Sequence, residues 1–250
     1  MNVLVTAGNT LVRMDRVRSL TNVFSGRTGA AVALQAFERG HAVTLLTSRP
    51  ETVVELRGAP LPASGRWKEM IYRTFDDLQH ALQDQVSQGG ADVLIHSAAV
   101  SDYRPAGVYA PDPGTRFQEG EKRWESTTAA PPTLIDRSAD KVKSDEPELW
   151  IRLVRTPKLI DLVRTEWGFG GLVVKFKLEV GIPEESLVEI AERSRRQSAA
   201  DLMVANTLEG MHQWAYLGPL QGHYQRITRQ ELPTRLLEAV EALHREKNHG

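Results

Sequence analysis

The chain has 250 residues, enough for one large domain or a domain with a small appendage, and 41% of them are hydrophobic, as in a protein with a buried core. The formal net charge of -1 predicts no nucleic-acid partner, and the absence of cysteine excludes disulfides, thiolate metal sites and a cysteine nucleophile. No apolar run reaches the length that spans a bilayer and the first residues lack a signal-peptide pattern, so we expect no membrane association and a cytoplasmic location.

The N-terminal part of the chain alternates strand and helix patterns. Residues 3–6, 42–47 and 92–97 are short, β-branched apolar runs, which predict buried strands. The first two flank a helical pattern over residues 29–39, which ends at Gly40, a residue favoured just after a helix. A strand–helix–strand unit of about 45 residues requires a parallel pair of strands.

A second helical pattern, over residues 75–88, ends at Gly89-Gly90 and leads into the third strand. This alternation predicts an α/β fold of the Rossmann-like, doubly wound type, with a mostly parallel sheet. In such folds ligands bind at the carboxyl ends of the strands.

The pattern breaks at residues 104–140, which are rich in Pro, Gly and polar residues. Because loops of this length in a compact domain are usually functional or mobile, we expect a long flap-like connection within one domain over residues 1–250. Order returns in the C-terminal part. We expect strands at residues 149–154, 172–178 and 201–205, and helices at residues 158–166, 183–197 (with Pro183 in its first turn) and 232–247.

Glycines lie at the end of the first predicted strand and at the start of the first helix. They are Gly8, Gly26 and Gly29, and Ser25 and Arg27 are their neighbours. Such glycines let backbone N–H groups approach a phosphate, which the helix dipole favours, and Arg27 would add a charge. The spacing is neither GxGxxG nor a P-loop, so tight turns alone are an equally good interpretation.

Two polar residues lie between these glycines. Asn22, just before the helix start, has the amide to donate to a carbonyl or oxyanion near a phosphate site, and it is equally suited to a turn. Arg18 on its own is most simply a solvated arginine.

Small residues follow the third strand. Beside Ala98 and Ala99 a ligand can lie against the backbone, and Asp102 has the oxygens to accept from a hydroxyl or amide. The alternative is small-residue packing with a capping Asp. His96 lies on the strand itself, so we expect a core histidine rather than a catalyst.

Two lysines follow the long connection. Lys141 and Lys143 have the spacing of ordinary surface charge. On a flap above a phosphate site they would instead neutralise a leaving pyrophosphate.

In this order, these segments resemble the phosphopantothenoylcysteine synthetase (phosphopantothenate–cysteine ligase) family in its stand-alone form. The family's Gly-Gly-Thr, Asp-Pro-Val-Arg, Asn and Ser-Ser-Gly-Lys-Met-Gly segments align without a gap, and Ala-Ala-Val-Ala-Asp-Tyr/Trp-Arg-Pro and Lys-x-Lys-Lys follow. The matching residues here are Gly8-Asn9-Thr10, Asp15-Arg16-Val17-Arg18, Asn22, Phe24-Ser25-Gly26-Arg27-Thr28-Gly29, Ala98 to Pro105, and Lys141-Val142-Lys143-Ser144. Three more segments are similar: residues 153–160, 176–179 and 204–206. Asn9 and Ser144 depart from the family pattern.

The resemblance implies a two-step ligation. A nucleoside triphosphate activates the carboxylate of phosphopantothenate as an acyl nucleotide, and the amine of cysteine then displaces the nucleoside monophosphate. Asn22 would stabilise the acyl intermediate and Lys141 would close over it as a flap residue. Arg18, Ala98, Ala99 and Asp102 would bind phosphopantothenate. The nucleotide would be lined by Gly8, Ser25, Gly26, Arg27, Gly29, Phe176 and Asn206.

The resemblance also implies the co-substrates and the assembly. We expect CTP or ATP, with Mg²⁺ carried on the triphosphate and no protein metal site. Family members work as homodimers in which Arg18 would reach the neighbouring active site. Many bacterial relatives carry a flavin-dependent decarboxylase in front of this domain, and here we expect neither FMN nor decarboxylation.

Two rival functions fit the same fold. A short-chain NAD(P)-dependent reductase needs a Tyr-x-x-x-Lys pair, and none of the five tyrosines is followed by lysine at that spacing. A diverged member that binds a nucleotide without ligase activity would tolerate the changes at Asn9 and Ser144 and the long connection.

Overall fold

The computed structural model describes residues 1–88 and 90–249, so the predicted helix stop at Gly89 lies outside the described residues. In chain order the strands are β1 (Asn2–Ala7), β2 (Leu11–Arg13), β3 (Ser19–Thr21), β4 (Ala42–Thr47), β5 (Trp67–Ile71), β6 (Val93–His96), β7 (Tyr103–Pro111), β8 (Thr115–Gln118), β9 (Arg123–Ser126), β10 (Leu134–Asp136), β11 (Trp150–Arg155), β12 (Leu172–Glu179), β13 (Leu202–Thr207), β14 (Trp214–Leu220) and β15 (His223–Thr228). The helices are α1 (Arg27–Glu38), α2 (Glu51–Arg57), α3 (Phe75–Ser87), α4 (Leu159–Thr165), α5 (Glu184–Gln197) and α6 (Leu232–His249).

These elements divide into two units. Unit 1 consists of Met1–Thr10, Val23–Val100 and Lys158–Gly250, and unit 2 consists of Leu11–Asn22 and Ser101–Pro157. The expectation of one functional domain over residues 1–250 stays a prediction, because two compact units can serve one activity.

Unit 1 is built on a sheet that, in the described part of the chain, has eight strands in the order β15-β14-β13-β12-β6-β1-β4-β5. The strands from β13 to β5 pair in parallel, and β14 and β15 add an antiparallel hairpin at one edge. The chain runs from β1 outward to β5, returns to β6 on the other side of β1, and continues to β13. This reversal confirms the doubly wound, mostly parallel α/β fold that the sequence predicts.

The centre of this sheet is buried because its strands carry nearly continuous apolar runs. Val3, Leu4 and Val5 of β1 are at most 1% exposed, and β6 and the first half of β12 are similarly covered. Each such side chain contributes about 1.5–3 kcal/mol when it is fully buried. The strong apolar signal explains why the predicted positions of β1, β4, β6, β12 and β13, and of α1 and α3–α6, are confirmed within a few residues.

Several elements of unit 1 differ from the sequence-based expectation. Pro183 lies directly before α5 rather than in its first turn, because its backbone is extended with ψ of 146°. The sequence analysis did not predict α2, which has seven residues and buries only Thr52 and Val53. It also missed the edge strand β5, where no residue is fully buried, and the hairpin of β14 and β15.

Unit 2 has a three-stranded sheet in the order β10-β7-β11 and two short hairpins, β2-β3 and β8-β9, among the residues described. Residues 104–140, expected to be an irregular connection, therefore contain most of β7 and all of β8 to β10. Prolines and glycines within β7 hide its alternation, in which only Val108 and Ala110 are buried. The β8-β9 hairpin is stabilised by a cluster of Phe117, Trp124 and Trp150, whose ring centroids lie 4.6–5.2 Å apart.

Candidate functional site

The carboxyl ends of β1 and β6 meet where the winding of the sheet reverses. Gly8 follows β1, and Ala98 and Ala99 follow β6, the adjacent parallel strand. At this position the loops after neighbouring strands diverge and leave a crevice for a ligand. The edge at which the sequence analysis expects a ligand thus lies at this reversal, and binding there stays a prediction.

Backbone hydrogen bonds hold the two loops together. The N–H of Ala99 donates to the carbonyl of Gly8 at 2.9 Å, and the N–H of Thr10 donates to the carbonyl of Ala99 at 3.1 Å. The hydroxyl of Thr6 accepts from the N–H of Ala98 at 3.2 Å. The small residues at 98 and 99 thus present a fixed backbone surface.

The first helix approaches these loops more closely than side chains allow. Gly26 caps α1 with φ of 77°, and a β-carbon there would lie 2.5 Å from the backbone nitrogen of Gly8. At Gly29 a β-carbon would lie 2.3 Å from Ser97 Oγ and 2.9 Å from the carbonyl oxygen of Thr6. Both values are below any ordinary van der Waals contact, so these glycines are required for the packing itself.

This geometry combines two features of phosphate sites. A helix of twelve residues begins at Arg27, next to the end of β1, and its first N–H groups have no partner within the helix. The N-terminus of such a helix also carries a partial positive charge. Tight turns explain φ at Gly26 and helix–strand packing explains the close approach at Gly29, so the role of these glycines in phosphate binding stays a prediction.

Ser25 and Arg27 flank the cap of this helix. The carbonyl of Ser25 accepts from the Thr52 hydroxyl at 3.2 Å. Arg27 Nη1 lies 3.4 Å from Glu55 Oε2, and more than half of each side chain is exposed. Exposed pairs of this kind contribute about 0–1 kcal/mol, so Arg27 can exchange Glu55 for another anion at little cost.

Phe176 lies on β12, which is next to β6, and Asn206 lies on β13, which is next to β12. Phe176 is half-buried against the core, and Asn206 is paired with Leu178 in the register of the two strands. Gly8 and Asn206 are three strand spacings apart, so a ligand that contacts both would extend over about 14 Å.

His96 is buried, as the sequence predicts for a core histidine. Its Nδ1 lies 2.9 Å from the Thr6 hydroxyl. Burial, and to a lesser extent the nearby Lys175 ammonium, lower the pKa of His96 to about 4. The imidazole is therefore neutral at physiological pH and serves to hold Thr6, whose hydroxyl also accepts from Ala98.

In unit 2, Arg18 is held by the carboxylate of Asp15. Arg18 Nη2 and Nε donate to Asp15 Oδ2 at 2.6 Å and 3.0 Å. The N–H of Val142 donates to the same oxygen at 3.1 Å, and Arg18 Nη2 also donates to the carbonyl of Val142. Burial alone would raise the pKa of Asp15, but the hydrogen bonds from Arg18, Val17 and Val142 outweigh it and hold this pKa well below its usual range.

Arg18 and the two predicted lysines line one cavity of about 520 Å³. Its lining consists of Val17, Arg18, Lys141, Val142, Lys143, Ser144 and Asp145. The lining thus includes three cationic residues and one acidic residue.

The remaining predicted residues of unit 2 lie at the ends of strands. Asn22 directly follows β3 and is half-buried. Asp102 is exposed just before β7, and its backbone carbonyl accepts from the N–H of Thr156 at 3.0 Å. The predicted site residues therefore fall into two sets. Unit 2 contains Asn22, Arg18, Asp102 and Lys141, and unit 1 contains the predicted nucleotide residues together with Ala98 and Ala99.

Asp15 and Ser48 also make contacts near the predicted site residues. Ser48 Oγ accepts from the N–H of Asn9 at 2.9 Å and donates to Asn9 Oδ1 at 3.2 Å. The spacing of Asp15 and Arg18 was a usable signal, since an Asp three residues before a residue often bonds back to it in a turn. Nothing in the local sequence predicts the contacts with Ser48 or Val142.

A second cavity, of about 280 Å³, lies at the amino ends of β1 and β4. Its lining includes Arg66, Lys68 and Gln85 and none of the predicted site residues. It is at the opposite end of the parallel strands from the crevice, so we do not connect it with the same ligand.

The described residues hold neither a cluster of metal ligands nor a helix suited to a membrane. Among residues 1–88 and 90–249, no three His, Asp or Glu side chains cluster as metal ligands would. In the same part of the chain, no helix has the length and apolar character needed to cross a bilayer.

Comparisons with known proteins point to one family. Residues 1–111 match the family model described as "DNA/pantothenate metabolism flavoprotein C-terminal domain". The chain is 30% identical over 247 residues to the coenzyme A biosynthesis bifunctional protein CoaBC of Thermococcus kodakarensis, covering 96% of this chain and 51% of that protein. It is 28% identical over 207 residues to the protein of the same name from Mycobacterium tuberculosis, covering 82% and 41%. The chain thus spans about half the length of the curated relatives it matches.

Two solved structures have a similar fold. The DNA/pantothenate metabolism flavoprotein from Streptococcus pneumoniae is 28% identical, with a TM-score of 0.75, and the match covers 98% of this chain and 100% of that chain. A Cab2 variant in complex with phosphopantothenate-cysteine is 17% identical, with a TM-score of 0.68 and coverage of 98% and 86%, and it has the same fold.

Proposed function

Because this chain belongs to the phosphopantothenoylcysteine synthetase family, we propose that it is a ligase that joins phosphopantothenate to cysteine in coenzyme A synthesis. In the first step a carboxylate oxygen of phosphopantothenate attacks the α-phosphorus of a nucleoside triphosphate, and pyrophosphate leaves. In the second step the amine of cysteine attacks the acyl carbon, the nucleoside monophosphate leaves, and the amide forms with loss of a proton.

The observation that carries this proposal is the glycine-dependent contact between the start of α1 and the end of β1. A phosphate anhydride needs backbone N–H donors and a positive field at close range, and the N-terminus of α1 supplies both. Gly8, Gly26 and Gly29 remove the side chains that would block the approach. Ser25, Arg27, Phe176 and Asn206 would complete the nucleotide contacts.

The residues of unit 2 fit the remaining roles. Arg18 and Lys141 line a cationic cavity suited to a phosphate group. Asn22 has an amide that can donate to the carbonyl oxygen of the acyl nucleotide, where negative charge develops in the second step. Ala98, Ala99 and Asp102 would bind the pantothenate arm.

The triphosphate is CTP or ATP in this proposal, and Mg²⁺ enters with it. Mg²⁺ usually binds through substrate phosphates and few protein ligands. Measuring the ligation rate with CTP and with ATP separately shows which triphosphate the protein uses.

We also propose that the working unit is a homodimer. Unit 2 exposes several large apolar side chains in the described part of the chain, with exposed fractions of 67% at Val17, 38% at Leu20, 48% at Tyr103 and 45% at Leu153. Apolar side chains at the surface of a unit are the kind that a partner chain would cover. A second copy of this chain is the partner that the family implies.

The proposal is tested with purified protein, phosphopantothenate, cysteine and either CTP or ATP. We expect pyrophosphate and phosphopantothenoylcysteine in equal amounts with at least one triphosphate. When cysteine is omitted, pyrophosphate should appear only up to about one equivalent per active site, because the acyl nucleotide stays bound. If the protein binds a nucleotide but releases pyrophosphate from neither triphosphate, the ligase proposal is wrong and the protein is a nucleotide-binding member without ligase activity.

A further inference from the structure

Asp15 in unit 2 accepts more hydrogen bonds than a turn requires. Its side chain is fully inaccessible to solvent. Oδ1 accepts from the backbone N–H groups of Val17 and Arg18 at 2.8 Å and 2.6 Å, as in an ordinary Asx turn. Oδ2 accepts from the Arg18 guanidinium and from the N–H of Val142, 127 residues away in the chain.

These contacts join the loop of residues 15–18 to the segment of residues 140–143. Besides the bonds through Asp15, Arg18 Nη2 donates to the carbonyl of Val142, and the N–H of Arg16 donates to the carbonyl of Asp140 at 3.0 Å. Val142 is 3% exposed, so the segment is anchored at its centre. The loop and the segment therefore form one hydrogen-bonded piece, and Lys141 is not at the end of a free chain.

The cations around this piece have unused donors. Nε and Nη2 of Arg18 are occupied by Asp15 and Val142, whereas Nη1 has no hydrogen bond to any residue that the structure describes. Lys141 and Lys143 are exposed and likewise form no ion pair with the described residues. All three line the 520 Å³ cavity. Like charges that line one cavity repel each other, so their grouping around a shared space favours an anion between them.

We propose that Asp15 is a positioning residue that couples Arg18 to the 141–143 segment, so that Arg18, Lys141 and Lys143 bind the same phosphate group of the substrate. The identity of that group, the phosphomonoester of phosphopantothenate, rests on the proposed function. Arg18 and Lys141 then act in one and the same active site. If Arg18 reaches the site of a neighbouring subunit, Lys141 and Lys143 reach it too.

The first test measures the KM of each substrate for variants of these residues. Asp15→Asn keeps the shape of the side chain but removes the charge that orients Arg18. A charge-assisted hydrogen bond contributes about 1.5–3 kcal/mol, so we expect the KM for phosphopantothenate to rise about tenfold or more. The KM for the triphosphate should stay within about twofold. Lys143→Gln should raise the same KM about fivefold, as expected for one of three shared cations.

The matched control is Arg16→Ala. The Arg16 side chain pairs with Asp140 at 3.3 Å, between the same two segments, but both side chains are at least 75% exposed. Loss of this pair should leave both KM values within about twofold. A comparable rise for Arg16→Ala would mean that any disturbance of the two segments matters, and it would overturn the specific role of Asp15.

A double-mutant cycle separates positioning from a purely structural role. If Asp15 acts mainly through Arg18, then Asp15→Asn should raise the KM for phosphopantothenate clearly less in the Arg18→Ala background than in the wild-type chain, with a remainder from the bond of Asp15 to the N–H of Val142. Fully multiplicative effects would refute the coupling. Thermal unfolding identifies any variant that does not fold. If Asp15→Asn is among these, the exposed Lys143→Gln decides, and an unchanged KM for phosphopantothenate in that variant would refute the shared site.

Binding of inorganic phosphate by calorimetry keeps this inference apart from the ligase proposal. Phosphate should bind the wild-type chain and bind about tenfold more weakly to Arg18→Ala. If the chain binds phosphate in this way but shows no ligation, the anion site stands and the ligase proposal falls. If ligation proceeds and neither Arg18→Ala nor Lys143→Gln weakens phosphate binding, the anion site falls.

Discussion

Replacing Gly26 by alanine tests whether the close approach of α1 to β1 makes the nucleotide site. Gly26 has φ of 77° and ψ of 5° at the N-cap of α1. The chain offers a matched control in Gly58, the C-cap of α2, which has φ of 75° and ψ of 1°. A β-carbon at Gly58 meets nothing within 4 Å, whereas at Gly26 it would lie 2.5 Å from Gly8 N and 2.7 Å from Gly8 Cα.

The two substitutions share one cost and differ in another. A left-handed conformation costs a residue with a side chain about 1–2 kcal/mol, and the reduced entropy of the unfolded chain returns about 0.4–1 kcal/mol. Gly58→Ala should therefore lower the free energy of unfolding by about 1 kcal/mol. Gly26→Ala adds a clash with backbone atoms, which cannot rotate away, and overpacking of this kind costs about 1–3 kcal/mol more. We expect a total loss of about 2–4 kcal/mol.

Urea unfolding and calorimetric titration with the triphosphate measure both consequences. Because relief of the clash moves the start of α1 away from Gly8, Gly26→Ala should weaken triphosphate binding about tenfold or more, which corresponds to about 1.4 kcal/mol. Gly58→Ala should leave binding unchanged within about twofold. Equal stability losses in the two variants together with equal binding would refute the argument, since their backbone conformations are the same and only the contact differs.

Four further predictions address the other site residues. Asn22→Asp should fold and lose amide formation, because a negative charge opposes the developing oxyanion; full ligase activity in single-turnover assays would contradict the role. Lys141→Gln should weaken nucleotide affinity only modestly but slow single-turnover product formation strongly, whereas a solvated lysine would leave the rate unchanged. A mixture of Arg18→Ala and Asn22→Asp subunits should regain part of the activity. A mixture of Arg18→Ala and Lys141→Gln subunits should not, because Arg18 and Lys141 act in the same site. Light scattering that shows only active monomers would exclude the dimer. The pKa of His96 is about 4 in the folded chain, against an ordinary value of 6.5 for a solvated histidine, so the unfolded chain binds the proton more readily. Its contribution to stability is therefore complete above about pH 6.5 and falls by on the order of 3 kcal/mol as the pH decreases to about 4, a loss that urea unfolding of His96→Gln should lack.

The sequence predicts the central strands of unit 1 and also β11, whose expected position at residues 149–154 is confirmed within one residue, but it misses the other strands of unit 2. The strands β1, β4 and β6 are short apolar runs that fit no other place in a folded domain. The edge strand β5 and the short strands of unit 2 bury too few side chains to produce a periodic pattern. In β7 the prolines at positions 105 and 111 are tolerated because ladder pairing is incomplete around them, with an irregularity between Ile151 and Leu153 of the partner strand.

The sequence likewise predicts one part of the candidate site and does not predict another. The glycines at positions 8, 26 and 29 can be predicted as a group, because loops at the carboxyl ends of parallel strands need close backbone approach. The cluster of Asp15, Arg18 and Val142 cannot be predicted from the sequence, because residues 127 positions apart come together only through the folding of unit 2. A family resemblance names Arg18 and Lys141 separately but gives no physical reason for their proximity.

The departure at Asn9 shows which glycine of the first loop is required. The family has Gly-Gly at the positions of Gly8 and Asn9. Gly8 has φ of 91°, a conformation that residues with a side chain rarely adopt, and a β-carbon there would lie 3.1 Å from the backbone nitrogen of Ser48. Asn9 is not among the described residues with positive φ, and its amide oxygen accepts from the hydroxyl of Ser48. The backbone N–H of Asn9 donates to that same hydroxyl, so it is already used within the protein. The change from glycine to asparagine at position 9 thus keeps the backbone N–H, which in this structure is bonded to Ser48.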